Sequence, residues 1–148
     1  MKPKKKVKGW QHEKEEELRR AKEEEEEFIN EAVYILTAQD DPTDVVVFTF
    51  LDADGEGGLD GVATTVGTLK AGTTYNGVAT FANTIDGEDI TEEIEEEDEE
   101  HQIFFQTTVA GLTFAYTDQD ADGNPIGLTT TATTDAAGTG TLTITLRH

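Results

Sequence analysis

Residues 48–80 of this chain align without a gap onto residues 114–146, and 11 of the 33 paired positions are identical. The match opens on an aromatic-rich run, Phe48-Thr49-Phe50-Leu51 in one copy and Phe114-Ala115-Tyr116-Thr117 in the other. It continues through acids at alternate positions and a glycine, Asp52-Ala53-Asp54-Gly55-Glu56-Gly57 against Asp118-Gln119-Asp120-Ala121-Asp122-Gly123. It keeps Gly61/Gly127, Thr64/Thr130, Thr65/Thr131, Thr68/Thr134 and Ala71-Gly72-Thr73/Ala137-Gly138-Thr139. We read this as an internal duplication of one unit: strand, acidic loop, strand, small-residue turn, strand.

From residue 29 onward, short β-branched and aromatic runs alternate with Gly, Asp, Asn and Thr, the pattern of strands joined by polar turns. Strands are expected over 31–38, 44–51, 61–69, 74–82, 102–108, 111–117, 127–134 and 139–147. In the last of them Leu142, Ile144 and Leu146 alternate with Thr141, Thr143 and Thr145, which gives one buried and one wet face. Phe48, Phe50, Leu112, Phe114 and Tyr116 are expected on the buried face. The fold class that follows is all-β, an immunoglobulin-like antiparallel β-sandwich of about eight strands, with repeat units near 31–82 and 102–147. Leu69-Lys70-Ala71-Gly72-Thr73-Thr74-Tyr75 looks like the tyrosine corner of such sandwiches, in which the hydroxyl bonds to backbone a few residues upstream. The second copy has Thr141 where Tyr75 stands, so only one corner bond is expected.

Charge divides the chain. Residues 1–30 balance nine Lys/Arg against nine Asp/Glu, whereas residues 31–148 hold 23 acids against Lys70 and Arg147 alone, giving a net charge of −21. We therefore expect two parts: a charged helix or tail over 1–28, without an apolar face on which to dock, and a β-sandwich domain over 29–148. Between the repeats, Asp89 with Glu92 reads as an N-cap pair and Ile90 with Ile94 as an apolar anchor. A short acidic helix is expected over 89–101, fraying where its last acids oppose the helix dipole.

So acidic a body repels phosphate backbones and anionic membranes, so no nucleic-acid partner is expected; divalent cations are the natural counter-ions. Asp118-x-Asp120-x-Asp122-Gly123-Asn124 has the rhythm of a calcium loop, with alternate carboxylates for one hard cation and a glycine for the turn. Asp52, Asp54, Glu56 and Asp60 offer a second such set. Position 12 of the loop, counting the first acid as 1, is Thr129 or Ala63 rather than a bidentate glutamate, so calcium affinity is expected in the weak range of extracellular modules, about 0.1–1 mM. The same residues are also those that tight turns prefer. There is no cysteine and no serine, which removes thiolate metal sites, disulfides, and cysteine and serine nucleophiles; His12, His101 and His148 form no metal-hydrolase spacing. No apolar run is long enough for a transmembrane span, and none follows the basic start as a signal peptide would require.

Several segments together resemble small secreted lipoproteins of Bacteroidetes-type bacteria, often labelled "type 1 periplasmic binding fold superfamily protein". They are Val46–Gly55, Thr68–Gly77, the Glu88–Glu97 helix with His101-Gln102-Ile103-Phe104-Phe105, Tyr116-Thr117-Asp118 to Asn124-Pro125-Ile126-Gly127-Leu128, and Gly140–His148. The resemblance covers 29–148 and implies a place in the cell envelope or outside the cell, with no catalytic residues. It also implies a signal with a lipid-bearing cysteine before the domain and a further strand after His148, neither of which this sequence has. A missing strand would leave a sheet edge open to self-association. The expectation is a non-enzymatic envelope domain, weakly bound to calcium at its acidic loops, acting in adhesion or ligand capture toward an extracellular protein or glycan. The alternative is a glycan or small-ligand binding module without metal; a hydrolase using clustered carboxylates is a remoter third.

Overall fold

The computed structural model describes residues 29–54 and 61–147; the charged segment expected over 1–28 lies outside them, apart from which the pattern reading can be followed strand by strand. The chain runs β1 (Glu31–Ala38), β2 (Asp41–Leu51), β3 (Val62–Val66), β4 (Thr74–Asn83), β5 (Glu88–Asp89), α1 (Ile90–Glu96), a 3-10 turn at Asp98–Glu100, β6 (Gln102–Thr107), β7 (Thr113–Tyr116), β8 (Thr129–Thr133) and β9 (Leu142–Arg147). The fold is all-β and antiparallel. Seven strands form one sheet in the order β3-β2-β1-β4-β8-β7, with β5 on the end of β4, and β6 and β9 form a separate two-stranded ribbon.

Residues directly opposite in a ladder share a face. Tyr34 opposes Phe48 and Ala79, Leu36 opposes Val46 and Gly77, and Ala132 opposes Tyr75 and Phe114, so one face of the large sheet gathers the aromatic and aliphatic core. The ribbon lies on that face: the Phe105 ring is tilted against Tyr34 at 4.8 Å and stacks on Phe114 at 5.5 Å, and Ile103 is fully buried. Two strands cannot cover six. At the β2–β3 side the layer runs out, and Phe50 is 45% exposed, its ring lying over Gly61. Tyr116, near the opposite edge, is 37% exposed, though its hydroxyl donates to the Ile103 carbonyl at 2.5 Å. The expectation that all five aromatic and leucine positions are core is thus corrected for these two, because the second layer is a ribbon rather than a sheet.

α1 covers the end of β4. Asp89 caps it by accepting the Thr91 N–H at 3.0 Å rather than through a pair with Glu92, and Ile90 and Ile94 are buried as the apolar anchor. The helix ends at Glu96 and tightens into the 3-10 turn, with no basic residue in its last turn.

The tyrosine corner forms. The Lys70 N–H donates to the Tyr75 hydroxyl at 2.8 Å, and that hydroxyl donates to Asp44 Oδ2 at 3.1 Å. Tyr75→Phe is expected to lower stability by about 1 kcal/mol, since it removes the acceptor of the part-buried Lys70 N–H and the donor to Asp44; thermal melting of the pair measures it.

The two copies of the repeat correspond only in part. Both give a hairpin, β2–β3 and β7–β8, but the first pairs Thr49 with Thr64 while the second pairs Ala115 with Thr131, one residue off the sequence alignment. The third strands differ more: β4 joins the large sheet beside β1, whereas β9 crosses to the ribbon beside β6.

Candidate ligand cleft and acidic loops

Strand direction places the acidic segments at one end of the molecule and a cleft at the other. β2 and β7 run the same way, so the loops that follow them, 52–61 and 117–128, leave the sheet at the same end. The ends of β2 and β7 from which they leave are four strand spacings, or about 19 Å, apart in the sheet. The α1 segment emerges at this end too.

In the second loop the carboxylates point to backbone. Asp118 Oδ1 accepts the Gly127 N–H at 2.8 Å, and Oδ2 accepts Leu128 and Thr129 N–H groups at 2.8 and 3.1 Å. Asp120, 8% exposed, accepts from the Asp122 and Asn124 N–H groups through Oδ1, both at 2.9 Å, while its own N–H donates to the Asn124 carbonyl at 2.8 Å. Gly127 has φ 105, and a side chain there would meet the Ile103 carbonyl and Cβ within 3 Å, which is why glycine stands where the loop returns to β8. Asp118 and Asp120 therefore close the loop themselves, and Asn124 takes part through its backbone.

Asp122 is exposed and faces Glu99 of the 3-10 turn. The Asp122 charge first, then a loss of solvation and the Asp120 charge, push the carboxyl of exposed Glu99 above its ordinary value. Of the other loop, Glu56 and Asp60 lie outside the described residues, and Asp52 and Asp54 are half-buried. What holds Asp52 is a residue that sequence reasoning missed: buried Asn30 donates from Nδ2 to the Asp52 carbonyl at 3.0 Å and to the Thr84 hydroxyl at 2.7 Å, and its own carbonyl accepts the Asp52 N–H at 2.8 Å. An Asn just before a strand gives no local signal of a partner more than twenty residues on. Among the described residues no group of three or more His, Cys, Asp or Glu is gathered to hold a metal ion.

The opposite end holds a cleft of about 280 Å³ between the sheet and the ribbon. Leu36, Val46, Phe48 and Phe114 form its sheet wall, and Leu142 and Leu112 its other side. The mouth is made of small and hydroxylated residues from two turns, among them Thr68, Ala71, Thr134, Ala137 and Thr139, with Lys70 and Asp135 at the rim. These turns are the repeated Ala-Gly-Thr segments, and they are knitted together. Gly72 N–H donates to the Asp135 carbonyl at 2.9 Å, Thr73 N–H to the Thr134 hydroxyl at 2.9 Å, and the Thr134 hydroxyl to the Lys70 carbonyl at 2.5 Å. Small side chains at this junction leave the end of the core open. Lys70 leans toward Asp44 at 3.6 Å, with its side chain 65% exposed.

Sequence reasoning missed this cleft; the recurring Ala-Gly-Thr turns are the signal that could have found it, since bulky residues there would close it. No helix among the described residues is long and apolar enough to cross a membrane. Comparisons with protein-family models, curated proteins and solved structures found no match.

Proposed function

We propose that this chain is a non-enzymatic binding domain of the bacterial cell envelope or exterior that captures a small, largely apolar ligand in the cleft between sheet and ribbon. The observation that carries the reading is the cleft's construction: apolar walls from both layers, a mouth of threonines and backbone, and a volume near the lower bound of small-molecule sites. Its largely apolar walls, with Leu36, Val46, Leu112 and Leu142 beside Phe48 and Phe114, favour an aliphatic chain with one hydrogen-bonding head over a sugar. The net charge of −21 favours a neutral or cationic head over an anionic one. The envelope setting rests on the lipoprotein resemblance of 29–148. The Tyr75 corner supports an immunoglobulin-like ancestry, and the recurring hairpins support the duplication.

Calorimetric titration with n-alkanols, with the matching alkylamines and alkanoates as comparators, tests this. Affinity should rise about fourfold per methylene, the worth of roughly 0.8 kcal/mol for each buried CH2, until the cleft is full. Alkanoates should bind more weakly than alkanols, and Ala137→Trp, which fills the mouth, should abolish binding. Equal affinity for all chain lengths, or unchanged binding in that variant, would sink the proposal.

A second reading keeps calcium at the acidic end, supported by the mutual repulsion of Glu99, Asp122 and Asp120. A bound cation would relieve it, and adhesion would then be calcium-strengthened. With Kd ~0.1 mM, ~10 mM calcium adds about 2.7 kcal/mol of stability over chelator. That gain should vanish in Glu99→Gln with Asp122→Asn; no calcium shift in the parent chain removes this reading without touching the cleft.

A further inference from the structure

The outermost strand of the large sheet, β3, pairs with β2 on one side and with nothing among the described residues on the other. All five of its residues are exposed. An edge of this kind presents a row of backbone donors and acceptors, and proteins that stay monomeric usually blunt it with lysine, proline or a bulge. Val62-Ala63-Thr64-Thr65-Val66 has none of these, and its register with β2 is regular from Val62↔Leu51 to Val66↔Val47.

We propose that the protein forms a twofold dimer in which the β3 strands of two copies pair antiparallel about Thr64. The strand is complementary to its own reverse. Thr64 opposes Thr64, Ala63 opposes Thr65, and each Val62 opposes a Val66 of the other copy. These valines are 62% and 63% exposed, and both lie on the outer face of the sheet. Val66 already continues a row through Val47 and Ile35 to Val78, itself 46% exposed, so pairing would join two aliphatic bands across the axis.

Charge selects the antiparallel arrangement and the second copy as occupant. One end of β3 adjoins the loop of Asp52 and Asp54; the other leads to Lys70, which with Arg147 makes up all the Lys and Arg of residues 31–148. Lys70 is already paired with Asp44 at 3.6 Å, so antiparallel pairing sets each acidic loop beside a neutralised ion pair of the other copy, whereas parallel pairing would set the Asp52–Asp54 loops of the two copies against each other in a chain of net charge −21. The opposite edge, β7, leads into the Asp118–Asp122 loop at one end and has no Lys or Arg near in sequence at the other, so the same pairing there would gain nothing. Because the chain is so acidic, association should strengthen as salt screens the bodies from each other.

Sedimentation velocity at submillimolar protein in physiological salt should give twice the 16.1 kDa chain mass. Thr64→Lys, which sets two ammonium groups face to face on the axis, should return the monomer with an unchanged melting point in dilute solution. Register is read by cysteine substitution, since the native chain has no cysteine. With copper–phenanthroline as oxidant, Thr64→Cys should cross-link to itself, and Val62→Cys mixed with Val66→Cys should cross-link faster than either alone. A parent chain that stays monomeric, a dimer indifferent to Thr64→Lys, or cross-links that favour Val62 with itself would each overturn the proposal. None of these outcomes bears on the cleft.

Discussion

Tyr34→Ala is expected to lower the unfolding free energy by about 4 kcal/mol, the usual cost of emptying a buried aromatic site. Tyr34 is 1% exposed, packs on Phe48, Phe105 and Phe114, and is the point where sheet and ribbon meet. Its hydroxyl shares a 2.6 Å hydrogen bond with Thr130, itself 2% exposed. Tyr34→Phe keeps the packing and removes only that bond, so about 1 kcal/mol should be lost. Chemical denaturation of the two variants separates packing from hydrogen bonding.

The same residue sets a pH limit. Burial outweighs the Thr130 bond and pushes the Tyr34 hydroxyl up from 10.0 to about 12. A group whose pKa is raised on folding stabilises fully below its unfolded value and loses that contribution as pH rises through the folded one. Through Tyr34, stability should therefore fall between pH 10 and about 12 by as much as about 2–3 kcal/mol, and in Tyr34→Phe the fall should shrink to what Tyr75, whose hydroxyl is also raised by burial, contributes.

The second large effect is at Asp118. Asp118→Ala leaves the Gly127, Leu128 and Thr129 N–H groups without their shared carboxylate and should lower stability by about 3 kcal/mol, since hydrogen bonds to a charged acceptor are the stronger kind. Asp118→Asn should cost about half as much, because one oxygen still accepts. The decisive comparison is calorimetry in chelator. A loop clamp loses the full amount there, whereas a calcium ligand would show its loss only when calcium is present.

That contrast explains what the sequence could and could not convey. Period-2 alternation in Leu142–Arg147 and the β-branched runs placed the strands within a few residues, because side-chain alternation is a local consequence of the pleat. Leu69–Tyr75 disclosed its corner for the same reason: the bond spans five residues. The rhythm of Asp118, Asp120 and Asp122 was equally visible, but its use was not, since Asp118 reaches nine to eleven residues ahead to amides that no short motif includes. Layer membership was hidden most deeply. β4 and β9 occupy segments that align in the sequence, yet one pairs with β1 and the other with β6, a choice made by long-range packing rather than by local pattern. The cleft follows from that choice, because a two-stranded ribbon over a wide sheet leaves one end of the core uncovered.

The most direct test of ligand capture is isotope-filtered NMR of the protein with n-octanol. The account predicts intermolecular NOEs from the alkyl chain to methyl groups of Leu36, Val46, Leu112 and Leu142, all of which line the cleft, and their loss in Ala137→Trp. NOEs confined to the outer-face methyls of Val47, Val66 and Val78, or none at saturating alcohol, would contradict it.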